Sequence, residues 1–184
     1  MDNPQKNPWT TRSAREIYSN PWITLTEYDV LNPSGKPGIY GKVHFKNTAV
    51  GIIPIDAEGN TYLVGQYRYV LDTWSWEIPE GGAPLGTDPL ESARRELKEE
   101  TGLTARRWTL LQRAHLSNSV SDEEAYIYVA EDLSPGVNAL DDTEAGLVVK
   151  KLPIEEAIAM VLNGEITDSM SVIGLLRIGQ QSRS

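Results

Sequence analysis

Three glutamates and an arginine stand close together in the middle of the chain, in the segment from Arg95 to Glu100. If this segment is helical, Glu96 and Glu100 project from one flank because they are four residues apart, with Glu99 beside them. Like charges at that spacing destabilise a helix slightly, and a bound cation would relieve the repulsion. Magnesium takes oxygen ligands and is commonly held by carboxylates together with substrate phosphates. The pattern alone fits either a metal site or a solvated acidic face.

The residues on either side of this cluster predict the helix that would position it. Asp88 is a good N-cap, and Pro89 suits the first helical position because its fixed φ matches a helix. Gly102 can end the helix by taking the left-handed conformation. A buried apolar stripe at spacings of three and four is formed by Leu90, Ala93 and Leu97. The sequence therefore predicts a helix with its carboxylates along one flank.

The stretch from Gly81 to Leu103 resembles the Nudix box, in which a glycine and a glutamate precede an Arg-Glu-apolar-any-Glu-Glu-any-Gly-apolar core. The positions that match are Gly81, Arg95, Glu96, Leu97, Glu99, Glu100, Gly102 and Leu103. Thr87 is the one departure, because the box has glutamate at that position, and Asp88 follows it. So many fixed positions identify the chain as similar to Nudix hydrolases.

Segments outside the box resemble the Nudix enzymes that act on ADP-ribose and other nucleoside diphosphate sugars. These segments are the N-terminal strands, Gln66-Tyr67-Arg68 and the lead-in Glu77-Ile78-Pro79-Glu80-Gly81. The resemblance implies hydrolysis of a pyrophosphate bond to a nucleoside monophosphate and a sugar phosphate, with Mg²⁺ as cofactor and Mn²⁺ as a substitute. ADP-ribose, GDP-mannose and similar compounds all remain open as substrates.

The resemblance also implies roles for the residues of the box. Metal ligands are expected at Glu96, Glu99 and Glu100, together with the backbone carbonyl of Glu80. Glu99 and Arg95 are expected to take part in catalysis, with Arg95 orienting the carboxylates of the box. The side chain of Glu80 need not take part.

A general base is expected in the polar loop that follows the box helix. The segment Ser121-Asp122-Glu123 resembles the loop that carries a catalytic glutamate in this group of enzymes. Glu123 is therefore the candidate base, with Glu124 and Asp122 as close competitors. Without the resemblance, a glutamate in such a loop is most simply explained as a solvated surface residue.

Three residues are candidates for substrate binding. Trp22 lies where these enzymes stack an aromatic side chain on the base, although an ordinary half-buried strand tryptophan fits its position equally well. Arg68 could clamp a phosphate through two hydrogen bonds, whereas an isolated arginine would more often form a surface ion pair. Glu77 either contacts the substrate or supports its loop.

The fold implied by the resemblance is mixed α/β, a Nudix-type α/β/α sandwich with a central mixed sheet and an N-terminal antiparallel β extension. Alternating apolar runs bounded by turn residues agree with such strands. We predict a flexible N-terminus over residues 1–12 and a β-sheet extension for dimerisation and base binding over 13–47. The Nudix hydrolase domain is predicted over 48–184.

Composition and charge narrow the class of protein. A chain of 184 residues with 40% hydrophobic residues is large enough for one well-packed core. A net charge of −9 argues against a general nucleic-acid binder, which needs a basic surface. The absence of cysteine favours a cytoplasmic location, and no apolar run is long enough to span a membrane. The expected partners are a small nucleotide-sugar substrate and a second copy of the chain, joined through the N-terminal strands.

Other functions remain compatible with the residues. One is a Nudix hydrolase of another nucleotide class, such as nucleoside triphosphates or capped RNA. Another is a non-catalytic nucleotide-binding module, which Thr87 keeps open. The third is an acidic structural protein whose helix carboxylates bind nothing, and it predicts no thermal shift with magnesium.

Overall fold

The computed structural model describes residues 6–136 and 146–181, which divide into two compact units. Unit 1 contains the residues up to Asn47 together with Ser117–Glu123, and unit 2 contains Thr48–Leu116 and the residues from Glu124 onwards. The predicted functional division into an extension over 13–47 and a hydrolase domain over 48–184 stays a prediction. The inclusion of Ser117–Glu123 in unit 1 was not predicted, because it depends on long-range hydrogen bonds such as the one from Val43 N to Val120 O, 2.8 Å.

Unit 1 is a three-stranded antiparallel sheet in the order β1-β2-β3. Its strands are β1 (Thr10–Ser19), β2 (Ile23–Leu31) and β3 (Pro37–Phe45). The turn between β1 and β2 is fixed by the Asn20 side chain, whose Oδ1 accepts hydrogen bonds from the amides of Trp22 and Ile23. The sheet reaches into the segment 1–12 that we predicted to be flexible, because Thr10 pairs with Leu31. The part of that prediction covering residues 1–5 lies outside the described residues.

Unit 2 contains two sheets and three helices within the described residues. Its elements are β4 (Asn47–Pro54), β5 (Asn60–Arg68), β6 (Thr73–Glu77), β7 (Glu80–Pro84), α1 (Pro89–Thr101), β8 (Leu103–His115), β9 (Glu124–Pro135), β10 (Val148–Pro153), α2 (Ile154–Leu162) and α3 (Ser169–Gln181). The four-stranded sheet β7-β4-β9-β8 is mixed, with β4 parallel to β9, and the three-stranded sheet β10-β5-β6 is antiparallel. The predicted mixed sheet is confirmed, and the antiparallel sheet adds a second one.

The two faces of the mixed sheet are covered by different helices. On β4, Val50 and Ile52 pack in one cluster with α1, whereas Ile53 packs in another with α2 and α3. Strand β9 follows the same rule, since Tyr128 joins the first cluster and Ile127 the second. Successive side chains of a strand point to opposite faces, so continuous apolar runs supply both layers. This arrangement confirms the predicted α/β/α sandwich.

Helix α1 has the ends that the sequence predicts. The Asp88 side chain accepts a hydrogen bond from the Leu90 amide at 2.9 Å, and Pro89 occupies the first turn. Gly102 has φ 70° and donates its amide to Lys98 O. Among the described residues, none of the helices is both long and apolar enough to cross a bilayer.

Candidate active site

The acidic flank of α1 is buried against β7. Glu96 is 5% exposed and Glu100 is 2% exposed, although both are carboxylates. Their burial follows from the helix repeat, because they flank Ala93 and Leu97, which pack into the core. Glu99 lies at the edge of this flank and is partly exposed. The structure therefore favours a built site over a solvated acidic face.

Gly81 gives Glu96 the room that its carboxylate needs. A Cβ atom added to Gly81 would lie 2.2 Å from both Cδ and Oε1 of Glu96. At that distance the Glu96 carboxylate would have to move, because it lies directly over the backbone of β7. The close packing of Glu96 explains the glycine at this position of the box.

Arg95 connects Glu96 and Glu99 of the box helix with the backbone of β7. Its Nη2 lies 2.6 Å from Glu96 Oε1, and its Nη1 lies 2.6 Å from Glu99 Oε2. The same Nη2 donates to the carbonyl oxygen of Gly82 at 3.1 Å. Partial burial opposes the charge of Arg95, but the two glutamates raise the pKa of its guanidinium. Arg95 therefore contacts two of the three glutamates, and its role in orienting them stays a prediction.

A second cluster is formed by Arg68 at the end of β5. The Nε of Arg68 donates to Glu77 Oε1 at 2.8 Å, and its Nη2 donates to the carboxylates of Glu77 and Glu80. The Glu77 side chain is 3% exposed and also accepts a hydrogen bond from Gln66 Nε2 at 3.3 Å. The side chain of Glu77 thus holds Arg68, and Arg68 remains partly exposed.

Glu80 connects the two clusters. Its backbone amide donates to Glu100 Oε2 at 3.0 Å, while its buried carboxylate faces Arg68 through Oε1. The other oxygen, Oε2, is buried and has no hydrogen-bond partner among the described residues. Burial, followed by the charges of Asp168 and Glu77, raises the pKa of Glu80 well above its usual range, although Arg68 opposes this. The carboxylate is therefore in an environment short of positive charge.

The chemistry of this donor set suits a hard divalent cation. The side-chain atoms that could bind a metal are all carboxylate oxygens, and the carboxylates outnumber the two arginines beside them. One buried carboxylate oxygen, Oε2 of Glu80, has no hydrogen-bond partner among the described residues. Over residues 6–136 and 146–181, however, no group of three or more Asp, Glu, His or Cys side chains lies close enough together to hold a metal ion. Glu96 and Glu99 face Arg95 instead. The residues fit a cation whose binding would require these ion pairs to rearrange.

The remaining candidates lie in unit 1. Trp22 is 65% exposed and directly precedes β2, so it has a free aromatic surface. Glu123 is the last residue of the segment Ser117–Glu123. The other candidates, which are Arg68, Glu77, Glu80, Arg95, Glu96, Glu99 and Glu100, all belong to unit 2.

The two competitors of Glu123 are held in ion pairs. Asp122 Oδ2 lies 2.8 Å from His44 Nδ1 and 3.0 Å from Lys42 Nζ, and Oδ1 accepts the Phe45 amide. Partial burial opposes these contacts, but together they lower the pKa of Asp122 to about 2. Glu124 forms an ion pair with Arg113. A carboxylate whose pKa is lowered in this way is a poor proton acceptor, so Asp122 does not suit a general base.

Asp168 and Ser171 were not predicted as site residues. Asp168 caps α3 by accepting the Ser171 amide, and its charge helps to raise the pKa of both Glu80 and Arg68. For Arg68, burial is the largest single influence and lowers the pKa, so it opposes the charge of Asp168. The available signal was the capping position itself, since nothing in the sequence shows that this cap lies beside the Arg68 cluster.

Two family models match the chain. A family model described as the NUDIX domain matches residues 45–169, and one described as the nucleoside diphosphate sugar hydrolase N-terminal domain matches residues 9–43.

Two relatives align over most of the chain. The ADP-ribose pyrophosphatase of Mycobacterium tuberculosis is 36% identical over 178 residues, which cover 94% of this chain and 84% of that protein. The ADP-ribose pyrophosphatase of Bacillus subtilis is 31% identical over 167 residues, which cover 90% and 89%. A solved structure described as the crystal structure of ADP compounds hydrolase has a TM-score of 0.86 and 21% identity, covering 98% of this chain and 97% of that one. This last likeness confirms the fold.

Proposed function

The chain belongs to the Nudix family, and we propose that it is a Mg²⁺-dependent pyrophosphatase whose preferred substrate is ADP-ribose. With a Nudix domain and the N-terminal domain of nucleoside diphosphate sugar hydrolases, it is a hydrolase of nucleoside diphosphate sugars. Nudix hydrolases generally need a divalent metal. The preference for ADP-ribose is supported by the two ADP-ribose pyrophosphatases that align over most of this chain. GDP-mannose is the alternative sugar nucleotide.

In the proposed reaction, water attacks one phosphorus of the pyrophosphate group. The bond from that phosphorus to the bridging oxygen breaks, which releases AMP and ribose 5-phosphate. Bound Mg²⁺ neutralises the phosphate oxygens and lowers the pKa of water. The proposed ligands are Glu96, Glu99, Glu100 and the backbone carbonyl of Glu80. Arg95 orients the carboxylates through its contacts with Glu96 and Glu99.

The proton of the attacking water is assigned to Glu123. This assignment rests on the resemblance of Ser121-Asp122-Glu123 to the loop that carries a catalytic glutamate in related enzymes. Arg68 is proposed to hold substrate phosphate with the part of its guanidinium that remains exposed, while Glu77 keeps that guanidinium in place. Trp22 is proposed to stack on the base, an interaction worth about 1–3 kcal/mol.

The observation that carries the proposal is the excess of buried carboxylate around the box. Glu96 and Glu100 are almost completely buried, and Glu80 has an oxygen without a hydrogen-bond partner. Burying an anion costs folding free energy unless a cation pairs with it. More buried carboxylates than arginines are therefore expected where a protein binds a further cation.

Three further features belong to the same proposal. The enzyme is proposed to act as a homodimer through its N-terminal strands, which is supported by the exposure of every residue of β1 in the single chain. Its location is proposed to be cytoplasmic, in agreement with the absence of cysteine. Nucleic acid is not expected as a partner, because the net charge is −9.

The proposal is tested by measuring product release from nucleoside diphosphate sugars and nucleoside triphosphates, with and without Mg²⁺. Glu100→Gln keeps the shape of the side chain and removes its charge, so we expect it to abolish Mg²⁺-dependent cleavage of ADP-ribose. Glu91→Gln is the matched control, because Glu91 lies on the same helix with its side chain 72% exposed.

Each outcome is informative. Cleavage of ADP-ribose by the wild type and by Glu91→Gln, but not by Glu100→Gln, supports the proposal. Preference for triphosphates would reject the substrate while keeping the metal chemistry. Binding of ADP-ribose without cleavage of any compound would instead indicate a nucleotide-binding module, and Thr87→Glu would then test whether the missing box glutamate is responsible.

A further inference from the structure

The first turn of α3 is attached to the loop that precedes the box. The hydroxyl oxygen of Ser171 accepts a hydrogen bond from the Ile78 amide at 2.9 Å. The same hydroxyl donates to Asp168 Oδ2 at 2.9 Å, and this oxygen also accepts the Ser171 amide at 2.8 Å. Ser171 is completely buried. The three hydrogen bonds therefore form a fixed connection from the start of α3 to the backbone at Ile78.

This connection ends between two residues of the site. Ile78 directly follows Glu77, which holds Arg68, and lies two residues before Glu80, whose amide is bonded to Glu100. On the other side of the loop, the Pro79 carbonyl accepts the Ile52 amide of β4 at 2.8 Å. Ile78 is thus hydrogen-bonded to α3, and the next residue, Pro79, is hydrogen-bonded to β4.

We infer that Ser171, oriented by Asp168, is a positioning residue for the Glu80 carbonyl and for the metal affinity of the site. This inference rests on the proposed role of that carbonyl as a metal ligand. Because Pro79 has a fixed φ, a shift of the Ile78 amide is passed on towards the Glu80 peptide, where it works against the hydrogen bonds of Pro79 and Glu80. Partners that orient metal ligands from behind typically change metal affinity when they are removed.

An ordinary helix cap would behave differently. A cap requires only that Asp168 accept the Ser171 amide, and its loss affects stability alone. Here the hydroxyl of Ser171 takes part as well, and it is aimed by Asp168 at a backbone amide in another element. The distinguishing property is therefore metal affinity, measured apart from thermal stability.

The test is a titration of the whole protein with Mn²⁺, in which free Mn²⁺ is followed by electron paramagnetic resonance. For Ser171→Ala we expect the dissociation constant of Mn²⁺ to rise about tenfold. Ser171→Thr keeps the hydroxyl and is expected to bind Mn²⁺ nearly as the wild type does. Ser169→Ala is the matched control, because Ser169 is an exposed serine in the same turn of α3.

Asp168→Ala provides a second route if Ser171→Ala does not fold, since it removes the acceptor that aims the hydroxyl and should also weaken Mn²⁺ binding. Wild-type affinity in the folded Ser171 or Asp168 variant would overturn the inference. Glu100→Gln separates this result from a failure of the proposed function. If Glu100→Gln leaves Mn²⁺ affinity unchanged, the metal site itself is misplaced, whereas a loss there together with unchanged binding in Ser171→Ala rejects only the positioning role.

Discussion

Asp122 in unit 1 and Glu80 in unit 2 are carboxylates held in opposite ways. Three donors surround Asp122, namely Lys42, His44 and the Phe45 amide. They outweigh the effect of partial burial and lower the pKa of Asp122 to about 2. Glu80 is buried with one arginine, and burial together with the charge of Asp168 raises its pKa. The first carboxylate is stabilised as an anion, whereas the second is destabilised as one.

This difference separates carboxylates that support structure from carboxylates that support chemistry. A surplus of donors makes Asp122 a tether between β3 and the segment Ser117–Glu123. A deficit of positive charge around Glu80 costs stability in the absence of a ligand, and a bound cation would offset that cost. Changes near Glu80 should therefore alter activity and stability separately, whereas a change at Asp122 should alter stability alone.

The largest effect is expected for Gly81→Ala. The added Cβ would overlap the carboxylate of Glu96, so the carboxylate must leave its place over β7. If Glu96 is a metal ligand as proposed, its displacement should lower kcat/KM for ADP-ribose on the order of 100-fold, by analogy with the loss of groups that support metal ligands. Steady-state kinetics over a range of Mg²⁺ concentrations measure this effect. Gly86→Ala is an instructive control, because nothing lies near its Cβ, although its φ of 83° will cost some stability.

A smaller effect, this time on stability, is expected for Arg68→Met. The substitution leaves the carboxylates of Glu77 and Glu80 without their cation in a buried site. Loss of one partner of a buried pair costs about 3–5 kcal/mol, and we expect about 2 kcal/mol because the Arg68 side chain is 37% exposed. Urea unfolding without metal measures the change. Arg68→Lys keeps the charge and should recover part of the loss, and equal stability of all three proteins would contradict the account.

Glu80→Gln should stabilise the metal-free protein. Because the pKa of Glu80 is raised in the folded state, the folded protein binds this proton more tightly, and its stability falls as pH rises above the usual value near 4.5. The variant lacks this loss and should be more stable at pH 8 by about 1 kcal/mol. The two proteins should converge towards pH 4 in thermal unfolding. A variant that is less stable than the wild type at pH 8 would show that Glu80 is adequately paired.

The smallest effect is expected for Asp122→Asn. The pKa of Asp122 is lowered from 3.8 to about 2, so its contribution to stability is present above pH 3.8 and lost as pH falls towards 2. Since the side chain is 36% exposed, that contribution should be below about 1 kcal/mol. Acid unfolding should be shallower in the variant. A steeper acid transition would mean that the tether is stabilised by something other than charge.

The box helix could be predicted from the sequence because its determinants are local. Asp88, Gly102 and the apolar spacing fix the ends and the buried face of α1, and the four-residue interval places Glu96 and Glu100 together. Each of these relations spans less than four turns of one helix. The helix is therefore confirmed, with Glu96 and Glu100 on its buried flank, whereas their role as metal ligands stays a prediction.

The contact between Arg68 and Glu77 could not be predicted in the same way. It depends on the hairpin of β5 and β6, in which Arg68 pairs with Thr73 and Val64 with Glu77. A shift of one residue in that register would move every side chain to the opposite face. The sequence leaves Arg68 and Glu77 as separate candidates, with a substrate contact or a surface ion pair for Arg68 and a substrate contact or support of its loop for Glu77. The ion pair between Arg68 and Glu77 can be predicted only when the register of β5 and β6 is known.

The start of β8 could not be predicted from the sequence either. The strand begins at Leu103, which pairs with Pro135 of β9. The segment from Thr104 to Arg107 is mostly polar and exposed, so it has no apolar pattern to indicate a strand. Its conformation is set by hydrogen bonds to β9.

The segment Ser117–Glu123 has a practical consequence for anyone who would exchange parts between related enzymes. It is encoded between two strands of unit 2, yet it packs and hydrogen-bonds with β3 of unit 1. A chimaera that replaces only the residues before Asn47 would graft a foreign β3 onto the native Asp122, leaving that carboxylate with donors it was not matched to. The N-terminal sheet and the segment Ser117–Glu123 must therefore be exchanged together, although they are separate in the sequence.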